Sequence, residues 1–136
     1  MNYIFDTSII IDIRRGNSSL GKYLKQNLDL SGAKPHITLM TFSEYYFGAI
    51  PAGERGKSDC IEFLNIFDHL SISKNAAILF AELTYNYKKK GISFGTMDLL
   101  NASIAVDQNM IFVTRDKIFE EIRELKKIII KNKNNN

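Results

Sequence analysis

Hydrophobic residues in this chain gather in two ways. Short apolar runs at positions 2–5, 36–39, 70–73, 110–113 and 127–130 have the length of strands. Between them, 9–14, 19–27, 41–50, 54–68, 75–90 and 96–108 read as helices, the run 75–90 with an amphipathic pattern. Boundary residues support the division. Gly16-Asn17-Ser18 separates the first two helices, and Gly32 with Pro35 marks a loop. Thr41 and Glu44 have the spacing of a capping box, and Thr96 is a candidate N-cap. Gly91 follows three lysines and closes the longest helix. Residues 117–123 read as one more short helix, with Asp116 near its N-cap. Strand and helix alternate throughout. The pattern predicts one α/β domain, residues 1–130, with a central parallel sheet of four to five short strands flanked by helices. Residues 131–136 are polar and expected to fray.

That order of elements places four acids. In a parallel sheet, a helix feeding a strand starts near the edge where the strands end. Ligands of open parallel sheets bind at that edge. Asp6 follows the first strand, and Glu44 lies in the first helical turn after the second. Asp98 begins the helix feeding the fourth strand, and Asp116 follows that strand. Taken singly, each has an ordinary explanation: Asp6 and Asp116 as caps, Glu44 in its capping box, Asp98 facing a helix dipole. Together they conflict. Two carboxylates ~5 Å apart repel by about 3 kcal/mol at an effective dielectric of roughly 20, whereas a cap contributes ~1 kcal/mol. A proton or a cation must then accompany them. Oxygen-only ligands select a hard cation, Mg²⁺ or Mn²⁺, over zinc.

Composition narrows the setting. With 136 residues and 45% hydrophobic content, the chain fits a folded domain and excludes disorder. No apolar run approaches a membrane span, and the first six residues lack the basic start of a secretory signal. A single cysteine, Cys60, rules out an internal disulfide and fits a reducing cytosol, so a cytoplasmic protein is expected. Cys60, His36 and His69 have no metal-ligand spacing, and read as a core cysteine and surface or capping histidines. The net charge of +3 permits a nucleic-acid partner without requiring one. Arg14, Arg15, Lys22, Lys25 and Arg115 are the cations nearest the acids in sequence, although each also reads as a solvated surface charge.

Asp6-Thr7-Ser8 after the first strand, Ser43-Glu44 after the second, Asp98-Leu-Leu-Asn101-Ala102 and Val113-Thr114-Arg115-Asp116 resemble the motifs of the PIN domain. Size and element order are most similar to the VapC-type toxins of prokaryotic toxin–antitoxin pairs. The resemblance implies that Asp6, Glu44, Asp98 and Asp116 hold Mg²⁺ or Mn²⁺ for endonucleolytic cleavage of RNA. It gives Ser8 and Thr114 the small hydroxyl positions that assist such a site. Asn101 departs from the pattern, since many members are apolar there. One turn after Asp98, it reads either as support for the site or as part of a solvated stripe with Gln108. No histidine base and no serine or cysteine triad is evident, so the cation would carry most of the activation.

Phosphoacceptor receiver domains are the rival from another class. They need an acidic pair after the first strand and an aspartate after the third, and neither Asp6 nor Ser71-Ile72-Ser73 supplies these. Within the PIN resemblance, a housekeeping nuclease of RNA maturation or a non-catalytic binding module stands beside the toxin. The helix from Thr41 carries Phe42, Tyr45, Tyr46, Phe47, Ala49 and Ile50 nearly all round, so it should be buried on more than one side. A second copy of the chain can cover it, and so can the helix from Glu54 or Asn75. The resemblance favours a homodimer and implies a cognate antitoxin laid along the acidic cleft.

Overall fold

Tyr3–Phe5 forms β1, and every other strand is placed by reference to it. The computed structural model describes residues 2–28 and 35–131. After β1 come α1 (Thr7–Arg14), α2 (Ser18–Asn27), β2 (His36–Thr38), α3 (Leu39–Ala49), α4 (Gly53–Leu64) and β3 (Asp68–Leu70). Then follow α5 (Lys74–Lys89), α6 (Thr96–Asp107), β4 (Ile111–Thr114), a 3₁₀ turn (Lys117–Glu121) and β5 (Lys127–Ile129). The sheet order is β3-β2-β1-β4-β5, all parallel. Successive strands step outward from β1 on one side, and the chain then returns to its other side with β4. The edge beside β1 is therefore the topological switch point, where the crevice of such a sheet lies.

Alternation along the strands divides the core. Tyr3, Phe5 and Val113 point to one face, among Ile9, Ile10, Leu24, Phe63 and Leu64 from α1, α2 and α4. Ile4 and Phe112 point to the other, among Leu83, Tyr87, Leu99, Ile104 and Phe119. Both faces of a parallel sheet must be covered, and here each has its own apolar cluster.

Three expectations shift. The helix expected from Thr41 begins at Leu39, because β2 passes into it without a loop and Thr38 caps it, its Oγ1 accepting the Thr41 amide at 3.1 Å. Glu44 therefore stands in the second turn and closes no capping box. At α6 the N-cap is Gly95, and Thr96 is the first helical residue. The third strand is Asp68–Leu70, two residues earlier than its apolar run suggested, since its register follows β2 through His36↔Asp68 and Thr38↔Leu70. It is a largely exposed edge strand with little hydrophobic signature of its own. Gly91 does close α5, in the left-handed conformation with φ of 77°. The loop expected around Gly32 and the polar tail from residue 132 lie outside the described residues. No helix among the described residues is long and apolar enough to cross a membrane.

Candidate metal centre at the carboxyl edge

Asp6 is the deepest of the four acids, 9% exposed, and it caps α1. Its Oδ1 accepts the Thr7 amide at 2.8 Å and its Oδ2 accepts the Thr114 hydroxyl at 2.6 Å, so β1, α1 and β4 meet on one carboxylate. The Thr114 hydroxyl in turn accepts the Asp116 amide at 3.0 Å. Asp116 caps the 3₁₀ turn, its Oδ1 accepting the Ile118 amide at 3.0 Å. Both expected capping roles are present, and both leave carboxylate lone pairs unused. Ser8 reaches the same turn, its Oγ accepting the Arg115 amide at 3.4 Å.

Glu44 is carried by α3 and Asp98 by α6. Glu44 Oε1 accepts a hydrogen bond from the Thr7 hydroxyl at 3.4 Å. Asp98, third residue of α6, lies back over Gly95, where an added Cβ would sit 3.1 Å from its Oδ2. That crowding is one physical reason for glycine at the cap.

The four carboxylates feel one another. Burial pushes the Asp6 carboxyl above the ordinary aspartate range, against the hydrogen bonds from Thr114 and Thr7, and Asp116 pushes it further. Glu44 is raised by desolvation and then by the charges of Asp6 and Asp98. Asp98 is raised by desolvation and then by Asp6 and Asp116. The structure thus brings all four into one electrostatic neighbourhood. It does not close them into a cage: among the described residues, no three His, Cys, Asp or Glu side chains stand together tightly enough to hold an ion. An all-oxygen donor set, in which burial and then like charge raise Asp6, Glu44 and Asp98, fits a hard divalent cation.

Behind the acids lies a buried polar knot. Thr38, Thr41 and Asn101 are at most 1% exposed. The Thr38 hydroxyl bonds the Asn101 side-chain oxygen, and Asn101 Nδ2 donates to Thr41 Oγ1 at 3.5 Å. Asn101 is thus neither part of a solvated stripe nor turned toward the acids. It ties α6, which carries Asp98, to α3, which carries Glu44. The spacing of Thr38 three residues before Thr41 was the available signal for this knot.

The cations divide. Arg115 does not extend over the crevice: its Nε donates to Asp12 Oδ2 at 2.6 Å and its Nη1 to the Lys131 carbonyl at 3.3 Å. The pair is 17% and 21% exposed and fastens the turn after β4 to α1. Arg14 and Arg15 are exposed, with the Arg14 guanidinium 4.9 Å from the centre of the Phe63 ring. Lys22 and Lys25 are exposed on α2. Cys60 is buried in the core, and His69 bonds the Leu64 carbonyl at 2.8 Å at the end of α4.

A parallel sheet with acids gathered at its switch point defines a class that the comparisons make explicit. The PIN domain profile matches residues 3–125, and the chain belongs to the PIN domain family. It is similar to a protein named Ribonuclease VapC from Rickettsia bellii (strain RML369-C), 29% identical over 136 residues that cover 96% of this chain and 97% of the relative. Among solved structures it matches VapBC-1 from nontypeable Haemophilus influenzae, with a TM-score of 0.82, 21% identity and coverage of 95% of this chain and 98% of the other. It also matches VapBC2 from Rickettsia felis, bound to a DNA fragment from their promoter, with a TM-score of 0.79, 24% identity and coverage of 95% and 98%.

Proposed function

We propose that this chain is a divalent-metal-dependent endoribonuclease and the toxin of a toxin–antitoxin pair. The observation that carries the reading is the meeting of Asp6, Glu44, Asp98 and Asp116 at one sheet edge, three of them held above the ordinary carboxyl range by burial and by one another. These four would hold Mg²⁺ or Mn²⁺. When bound, such an ion supplies an acidified water and offsets charge on a phosphodiester in its transition state. The chain's own groups provide the frame. Thr114 and the Thr7 amide fix the Asp6 carboxylate, Thr114 also fixes the turn that presents Asp116, and Thr7 steadies Glu44. The similarity to a ribonuclease and to VapBC assemblies supports RNA as substrate and an antitoxin as partner.

Cleavage of total RNA by the purified chain tests the reading. We expect cutting with added Mg²⁺ or Mn²⁺ and none in EDTA. Binding without cleavage under any cation would replace the enzyme with a binding module. A small adjacent reading frame whose product suppresses cleavage separates the toxin from a housekeeping nuclease.

A homodimer belongs to the same proposal. Leu39 and Phe47 of α3 and Ile50 at its C-cap are 44%, 76% and 48% exposed, so neither α4 nor α5 covers this face. Exposed aromatic surface of this kind is enriched where subunits meet. Light scattering at micromolar concentration should give twice the chain mass for wild type, and the chain mass for Phe47→Asp.

A further inference from the structure

A groove of about 400 Å³ lies between α1 and α3, and one end of it carries Glu44, the member of the four acids that lines it. Thr7 and Glu44 form that end. Along its length α1 contributes Ile11, and α3 contributes Tyr45, Gly48 and Ala49. Arg14 and Arg15 stand at the other end. From Thr7 to Arg14 is roughly 10 Å at the rise of a helix.

The groove is built rather than incidental, and Gly48 is the sign of it. This glycine sits inside α3, where glycine weakens a helix relative to alanine. Its φ is not positive, and a Cβ placed on it would meet nothing within 4 Å. Neither backbone conformation nor packing calls for glycine here. What its missing side chain leaves is open space above the floor between Tyr45 and Ile11.

We propose that this groove is a nucleotide subsite, receiving the residue of an RNA strand next to the phosphodiester at the acidic edge. Arg14 and Arg15 meet its phosphate, and the Tyr45 ring and Ile11 take its base. The proposal rests on the ribonuclease reading above. The chemistry selects the occupant. Guanidinium groups match phosphate oxygens in pairs, and that of Arg14 is already held against Phe63. An aromatic face over an apolar floor stacks a base whatever its identity. Tyr45 is itself braced by Phe63, with ring centres 5.5 Å apart, so it presents a fixed surface.

Fluorescence anisotropy of a labelled 12-nucleotide single-stranded RNA, in EDTA so that the strand stays intact, tests the subsite. Gly48→Leu fills the groove without entering the core. It should weaken binding by tenfold or more, with the melting temperature not lowered and its response to Mn²⁺ unchanged. Arg14→Gln with Arg15→Gln should weaken binding and reduce the slope of log K against log salt by about 1.4, two single-strand phosphate contacts. Tyr45→Phe should retain the affinity that Tyr45→Ala loses. If wild type binds and cleaves RNA while Gly48→Leu does so equally well, the subsite is overturned and the nuclease stands. If Gly48→Leu spares RNA binding but blocks inhibition by a partner protein, the groove holds a peptide and the proposal fails. A wild-type chain that neither binds nor cleaves RNA overturns both.

Discussion

Two polar clusters lie on either side of the start of α6, and they follow opposite rules. Thr38, Thr41 and Asn101 are neutral, fully buried and bonded to one another. Asp6, Glu44, Asp98 and Asp116 are charged, more open, and repel. A buried polar group that finds its partner adds stability and fixes geometry, while an unpaired one costs both. The first cluster therefore sets the distance between α3 and α6, and the second uses it. The two lie within a single helical turn: Asn101 is buried and hydrogen-bonded, and Asp98 is half-buried and feels the charges of Asp6 and Asp116.

The largest effect that would break this division is on activity. Asp98→Asn should lower metal-dependent cleavage by more than the roughly 10–100-fold typical of changes around a metal's ligands. It should also remove most of the metal-induced rise in melting temperature, which in wild type follows from binding only the folded state. In EDTA the variant should melt no lower than wild type. If it unfolds, Asp98 is a structural cap and the contrast collapses.

Asn101→Ala should do the reverse. It leaves the Thr38 and Thr41 hydroxyls buried with a partner removed, at a cost of about 1–3 kcal/mol. Urea denaturation should show the same loss with and without Mn²⁺. A loss confined to the metal-loaded protein would place Asn101 in the site itself.

The pH dependence sharpens the comparison. Asp98 has a raised pKa in the folded state, so the folded protein takes up its proton before the unfolded chain does as pH falls. The penalty of its charge is then full above the folded pKa and gone below the ordinary value of 3.8. Stability of metal-free Asp98→Asn minus that of wild type should accordingly be positive at neutral pH and close as pH falls toward that value. A difference that is negative at neutral pH and vanishes on acidification would mean the acid is stabilised by its surroundings. The smallest effect belongs to the partly exposed Asp12–Arg115 pair. Asp12→Asn should cost roughly 1 kcal/mol, a value between those of surface and fully buried pairs, read by the same denaturation.

Much of this was legible from residue order. The alternation of elements predicted a parallel sheet, and the ends of β1 and β4 placed Asp6 and Asp116 on one edge. Position within helices was less legible. Two hydroxyls competed to cap α3, and Thr38 prevailed because the strand ends in register with Leu70, a contact no local pattern reveals. β3 was misplaced because an exposed edge strand need not be apolar. Arg115 read as a cation for RNA, because its partner Asp12 lies 103 residues away. Asn101 read as open between support and solvent, since only the packing of α6 on α3 decides which side of the helix is dry.

The sheet order also bears on how the molecule is made. Among the described strands β1 comes first in the chain, yet one of its two neighbours, β4, begins at Ile111. Asp6 waits for Thr114 before its carboxylate is held, and 110 residues separate it from Asp116. At translation rates of roughly 5–20 residues per second, that interval is about 6–22 seconds. Between the end of β3 at Leu70 and residue 98, the growing chain has the residues of β1, β2 and β3 but neither Asp98 nor Asp116. A growing chain that has not yet reached residue 98 therefore carries Asp6 and Glu44 but not the other two acids of that edge.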